Sequence, residues 1–409
     1  MIRPPESVSF DVHSNLSDLL AMIDNPEDAV LPSGLTDLLP PFAAHEEELA
    51  AKLRNCFGSV GYELVKPPLL EFEAALLKGI GADVAKETFR LMDPVSHNMM
   101  AARADITPQI ARLAWTQLKQ TPRPLRVMYD GEILRTSVGG RHQKRGFRTV
   151  GAELIGSADA AMADVEVILL AAESLLGLGI KDLTVDINVP SMAQFICNDM
   201  NLSSPEMQRV VWALSRKDRS AIQKVVGDNE CPLLGLLSAG GEAEECLEKL
   251  KRLDLPHDAA VLNTRLGEVV SLIRKRQPSL NLTVDPAETR GFEYHLGVSF
   301  AVFAKGAPSE LGMGGRYQSN EDEVATGFSL FMDVLTDLVP RENPAQRLYL
   351  PFGVSSVISD KLRDSGWVVV HGLVPELDIE SEGRRLLCSH LWVEDEVCPL
   401  SEPQEPGAR

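Results

Sequence analysis

Cysteine is scarce in this chain and never clustered. The six present, Cys56, Cys197, Cys231, Cys246, Cys388 and Cys398, include no C-x-x-C pair. That spacing argues against a zinc site or a disulfide framework and points to a reducing cytoplasm. No stretch approaches the roughly 20 apolar residues a membrane helix needs. The opening MIRPPESVSFDVHSNLSDLL carries acids and no apolar run of the signal-sequence kind. Positive charge is also short, with 40 Lys and Arg against 59 Asp and Glu and a net charge of −19. A nucleic-acid partner requires phosphates to be neutralised, so this balance disfavours a large tRNA interface, although acidity also serves solubility alone. Finally, G-x-x-x-x-G-K-[ST], G-x-G-x-x-G, G-x-S-x-G and H-E-x-x-H are all missing, which removes the commonest nucleotide, hydrolase and metalloprotease readings.

What remains is a soluble composition, 44% hydrophobic and 24% charged over 409 residues, enough for two or three domains. Residues 1–30 read as a polar extension. Pro40 and Pro41 then precede an amphipathic run, His45 to Phe57, stopped by Gly58 and Gly61. YELVKPP reads as a strand broken by Pro67 and Pro68. The dipeptide Thr107-Pro108 opens a helix, with Thr able to cap and Pro suited to the first turn. RVMYDGEILRT and GFRTVGAELIG flank SVGGRHQKR, which spells an antiparallel pair joined by a glycine-rich basic loop. Residues 160–178 carry helical periodicity and LTVDINV is strand-like. From about 190 to 275 the text is helical and charged, an inserted module. Strand text returns in TVDPAETRGFEYHLGVSFAVFAKG and LGMGGRY, and TGFSLFMDVLTDLV runs from strand to helix. After Pro340, residues 341–400 form a small α/β domain, and 401–409 read as a disordered tail. Few crossover helices separate the core strands, so an α+β fold with an antiparallel sheet is expected.

The chemically informative residues are charges set among apolar strand positions: Arg135, Arg145, Glu153, Arg290 and Glu293. Such charges line a wet pocket or form structural ion pairs, because an unpaired buried charge is costly. A direct Arg135–Glu153 pair across the hairpin is one structural alternative. His295 on a strand reads first as a core histidine, and the glycines of GMGGRY as permitting positive φ in a tight turn. His142 and the Arg141–Lys144–Arg145 cluster read as a solvated basic loop.

Six segments, LPSGLTDLLP, AARADITPQIARL, GEILRTSVGGRHQKRGFRTVGAELIG, TRGFEYHLGVSF, MGGRYQ and GFSLFMDVL, stand in the order found in histidyl-tRNA synthetases. The resemblance spans roughly residues 31–340 and implies a class II synthetase-type core. By that resemblance Arg135 and Arg290 match phosphate-handling arginines. Asp105, Thr107, Glu153 and Tyr294 match the amino-acid pocket. Departures gather where ATP must be held: Ser137 replaces an acid, Val334 replaces an arginine that would grip the γ-phosphate, Thr149 replaces a glutamine, and His295 replaces a tyrosine. A valine makes no charge-assisted contact, and one such loss costs roughly 3 kcal/mol of transition-state stabilisation. The stretch after Pro340 is also short and acidic for an anticodon-binding domain.

With these losses the chain resembles the regulatory subunits of ATP phosphoribosyltransferase. ADITPQIARL and the GWVVV…GRRLLCSHLW tail are closer to that text. The resemblance implies no catalysis by this chain and a homodimeric core paired around GYELVKPPLLEF. It implies a hetero-oligomer with the short-form catalytic subunit, which joins ATP to phosphoribosyl pyrophosphate with Mg2+ at the start of histidine biosynthesis. A histidine-like ligand is expected in a pocket of Asp105, Thr107, Arg135, Glu153, Arg290 and Tyr294, with no metal or cofactor in this chain. The alternatives are a divergent histidine–tRNA ligase or amino-acid-adenylating enzyme, and a sensor of uncharged tRNA.

Overall fold

The computed structural model describes residues 30–137, 144–227, 231–289, 295–341 and 346–400. It divides into two compact units that meet in sequence between Val339 and Pro340.

The first unit is built on a nine-stranded sheet. Its strands are β1 (Glu63–Leu64), β5 (Leu125–Leu134), β6 (Gly146–Ile155), β7 (Leu183–Asn188), β8 (Gly241–Glu242), β9 (Asn281–Val284), β10 (His295–Ala304), β11 (Gly312–Gln318) and β12 (Val324–Phe331). A separate small sheet holds β2 (Leu70–Phe72), β3 (Arg90–Met92) and β4 (Met99–Ala102). The large sheet runs β1-β5-β6-β12-β11-β10-β7-β9-β8. Six central strands, β5 to β7 in that order, are antiparallel throughout, as the sequence indicated. The flanks add parallel pairs, β1 on β5 and β9 on β7, so the sheet as a whole is mixed.

Period-two alternation gives this sheet two different faces. Phe328 and the even-numbered residues of β6 turn to one face, where Phe57 meets Phe328 edge-on at 5.4 Å. That face is covered by α1 (Phe42–Ser59) and α4 (Ala160–Gly177). Helix α4 is buried around most of its circumference, which explains why its sequence is almost uniformly small and apolar. One polar pair is built into this packing. Arg316 of β11 donates to Asp164 of α4 at 2.8 Å, and Thr326 donates to the same carboxylate. Burial costs both charges their water, so the pair survives only because each satisfies the other.

Helix α2 (Glu73–Leu76) and a 3-10 helix (Gly79–Glu87) lead to β3, and α3 (Thr107–Trp115) follows β4. Among the described residues the inserted module appears as six helices: α5 (Ser191–Asp199), α6 (Ser204–Ser215), α7 (Arg219–Val226), α8 (Pro232–Ala239), α9 (Ala243–Leu250) and α10 (His257–Arg276). Its short strand β8 pairs with β9 and so extends the main sheet. Helix α11 (Met332–Leu338) continues directly from β12.

The second unit is a four-stranded sheet of order β14-β13-β15-β16, formed by β13 (Arg347–Leu350), β14 (Val368–His371), β15 (His390–Val393) and β16 (Glu396–Pro399). Strands β13, β14 and β15 are parallel, and β16 returns antiparallel. Alternate residues of β13 feed two small cores. Leu348 and Leu350 pack with Leu362 of α12 (Ser356–Asp364), and Tyr349 packs near Ile379 of α13 (Ile379–Arg385). The tail 401–409 lies outside the described residues.

Candidate functional site

The second face of the large sheet carries a depression, and its register explains why. One row of directly opposed residues crosses five strands: Glu153, Gly327, Gly315, Ser299 and Asn188. The second and third members have no side chain. They leave a depression of about 310 Å3, whose neighbouring rows bring Thr149, Tyr317, Ser329 and His295 to its wall. Asp105 enters from the loop before α3, Thr107 from the first turn of α3, and Arg135 from just past the end of β5.

Glu153 lies at the bottom and is 1% exposed. Thr107 donates to its Oε1 at 3.1 Å, Tyr129 to the same atom at 3.4 Å, and Tyr317 to Oε2 at 3.0 Å. All three partners are hydroxyls. Burial therefore dominates and pushes the carboxyl up to about 8, with nearby Asp105 adding to the rise while the three hydroxyls oppose it. The position fits only because residue 327 is glycine: a Cβ there would lie 1.6 Å from Glu153 Oε2. Tyr129 reaches the cluster over Gly151 and also bonds Ser329 Oγ at 2.7 Å. His295 is held by its Nδ1 against the Arg316 carbonyl at 3.2 Å. Desolvation lowers its imidazole to about 4, so the ring is neutral at physiological pH.

This geometry decides several readings of the sequence. Arg135 does not pair with Glu153. It lies 3.6 Å from Glu87 Oε2, donates to the Ala104 carbonyl at 3.3 Å, and stacks over Phe147. Thr107 does not cap α3, because it is already the first helical residue; its hydroxyl serves Glu153, and Asp105 Oδ1 accepts its backbone N–H at 3.2 Å. The glycines of GMGGRY are not positive-φ turn residues but strand residues of β11. A Cβ at Gly315 would lie 2.5 Å from the His295 ring, so close approach is what requires glycine there. Arg145 is no solvated loop residue either. Its guanidinium lies 4.8 Å from the Phe89 ring centroid and donates to the Ser33 carbonyl.

The structure thus brings together Asp105, Thr107, Arg135 and Glu153, with Thr149 and His295 at the substituted positions. Val334 is buried on α11 and does not line the depression, while Ser137 is exposed. Arg290, Glu293 and Tyr294, like Arg141 and His142, lie outside the described residues. Tyr129, Tyr317, Glu288, Asn188 and Glu87 were not singled out from the sequence. Only Tyr317 stood in a recognised segment, MGGRYQ, and the inward alternation of β5 was the available signal for Tyr129.

Chemically, the lining offers three carboxyls, Asp105, Glu153 and Glu288, against one guanidinium already engaged by Glu87. Such a lining suits a cationic group better than an anion, and Glu153 is the most deeply buried of the three carboxyls. Among the described residues, no group of three or more His, Cys, Asp or Glu is placed to hold a metal, and no helix is long and apolar enough to cross a membrane.

Fold and site together define a class II, histidyl-tRNA-synthetase-like chain. The family model described as histidyl-tRNA synthetase matches residues 34–335. A solved structure described as an ATP phosphoribosyltransferase regulatory subunit/histidyl-tRNA synthetase from Bacillus halodurans C superimposes with a TM-score of 0.77 at 22% identity, over 88% of this chain and 97% of that one. The histidyl-tRNA synthetase of Nostoc sp. PCC 7120 gives 0.73 at 18% identity, over 88% and 90%. At those identities the likeness is one of fold. Closer in sequence is the ATP phosphoribosyltransferase regulatory subunit of Rhodospirillum centenum, 45% identical over 90% of this chain and 95% of that protein. The corresponding protein of Paramagnetospirillum magneticum is 44% identical over 90% and 97%. The chain belongs to this family of histidyl-tRNA-synthetase-like ATP phosphoribosyltransferase regulatory subunits.

Proposed function

We propose that this chain is the non-catalytic subunit of a cytoplasmic ATP phosphoribosyltransferase. It acts as a homodimer with the short-form catalytic subunit at the first step of histidine biosynthesis. The partner joins ATP to phosphoribosyl pyrophosphate using Mg2+; this chain activates it and transmits feedback by histidine. The observation that carries the reading is the state of the arginine positions. By motif position a γ-phosphate arginine belongs at residue 334, where a buried valine stands, and Arg135 is engaged by Glu87. Adenylate chemistry rests on such fixed cations, and each lost contact costs roughly 3 kcal/mol.

The recess stays useful to a binding protein after the γ-phosphate cation is gone and Arg135 is taken up by Glu87. A ligand's ammonium or imidazolium group would sit against Glu153 and Asp105, which is the basis for placing a histidine-like ligand there. Regulation then requires that the ligand bind one state of the complex better than the other. Two assays test the reading. Histidine-dependent ATP–pyrophosphate exchange by the chain alone should be absent, and its presence would favour the ligase alternative. In the complex, Glu153→Lys should abolish inhibition by histidine. Unchanged inhibition would remove this recess from the mechanism.

A further inference from the structure

We propose that the carboxyl edge of the C-terminal unit is a docking surface for a protein whose contacting face is apolar at its centre and basic at its rim. The topology defines the edge. From β13 the chain crosses through α12 to β14 on one side, then through α13 to β15 on the other. Strand order therefore reverses at β13, and in open α/β sheets ligands bind outside the carboxyl ends of the strands at such a point.

In this unit the edge carries apolar side chains. Phe352 and Val357, after β13, are 56% and 59% exposed. Leu373, Val374 and Leu377, after β14, are 86%, 56% and fully exposed. The two loops adjoin, since a Cβ at Gly372 would lie 3.0 Å from the Phe352 backbone nitrogen. Between Leu373 and Leu377 no backbone N–H donates to the backbone carbonyl of another described residue. Scattered exposed leucines are ordinary, but five large apolar residues on two loops and the first turn of α12, all at one edge of a small unit, mark an interaction site.

Charge selects the occupant. The loops PFGVSSV, GLVPELD and the β15–β16 turn contain Glu376, Asp378, Glu394 and Asp395 and no lysine or arginine. Among the unit's described residues, Arg341 precedes β13, and Arg347, Lys361, Arg363 and Arg384 belong to strand starts and helix ends, at the opposite edge, while Arg385 at the end of α13 lies within electrostatic range of Glu376. An acidic rim repels nucleic acid. A second copy docked edge to edge would set acid against acid. A different protein with lysines and arginines around an apolar patch fits. Identifying it as the catalytic subunit rests on the function proposed above; the chemistry of the edge does not.

Full-length chain would be titrated with the short-form catalytic subunit and, separately, with a synthetic amphipathic Leu/Lys helix, at low and high salt. The variants are Leu373→Asp/Leu377→Asp at the centre and Glu376→Lys/Glu394→Lys at the rim. Leu387→Asp, exposed at the opposite edge, is the control. Both edge variants should bind each probe at least tenfold more weakly with unchanged circular dichroism and melting. The control should bind as wild type, and wild-type affinity should fall with salt. If wild type binds the helix but not the catalytic subunit, the edge stands and the functional reading falls. The edge proposal is overturned if the edge variants bind the catalytic subunit as wild type does, if wild type ignores the helix, or if the variants change only self-association.

Discussion

Glu153→Gln should change how stability depends on pH more than it changes stability itself. In an unfolded chain this carboxyl titrates at its ordinary 4.5; in the fold it titrates at about 8. At 1.36 kcal/mol per tenfold change in proton affinity, ionising it in the folded state costs about 5 kcal/mol more than in the unfolded one. The raised group contributes stability that is fully present below pH 4.5 and is lost as pH rises to 8, because over that range the unfolded state has released a proton the folded state keeps. Glutamine has the same shape and no charge, so the variant lacks this loss. Its amide rearranges the Tyr129, Tyr317 and Thr107 hydrogen bonds at some fixed cost. Urea denaturation of both proteins at half-unit steps from pH 5 to 9 isolates the effect, since every other titrating group cancels in the difference. The variant should gain on wild type steadily with pH, by about 4 kcal/mol across the range. A difference that stays flat would show that Glu153 is ionised in the fold, and the account of a carboxyl held protonated by burial would be wrong.

Two further outcomes follow from the same cavity. His295, lowered to about 4, contributes stability that is complete above its ordinary 6.5 and lost as pH falls towards 4. His295→Gln should therefore remove about 3 kcal/mol of acid sensitivity, measured by the same titration between pH 4 and 7. Gly327→Ala places a methyl 1.6 Å from Glu153 Oε2; it should lower the melting temperature of the first unit by several degrees and abolish histidine binding by calorimetry. A variant that melts and binds as wild type would mean the Glu153 side chain can leave its position freely.

The elements of this protein were legible because their signals are local. The β5–β6 hairpin, helix α4 and the inserted helices each show in the spacing of apolar residues. Partner choice is not local. Nothing in GFRTVGAELIG says that β6 lies between β5 and β12, or that β8 inside the helical module extends the sheet. The site was readable to the same depth. Asp105, Thr107 and Glu153 could be proposed together because their segments resemble a known pocket, but Glu87 could not be named as the partner of Arg135. That ion pair joins residues 48 positions apart, from a 3-10 helix and a strand end. The glycines of GMGGRY were misread, and Gly327 was passed over, for a related reason. Sequence shows that a side chain is missing, while only the folded register shows that Gly327 and Gly315 clear space for Glu153 and His295.

The central claim is that this chain governs a reaction it does not perform. Purified chain would be mixed with a short-form catalytic subunit from the same organism, and phosphoribosyl-ATP formation followed with and without histidine. Activity should be high only when both proteins are present and should fall when histidine is added. Full activity of the catalytic subunit alone, unchanged at any ratio of this chain, would contradict the account.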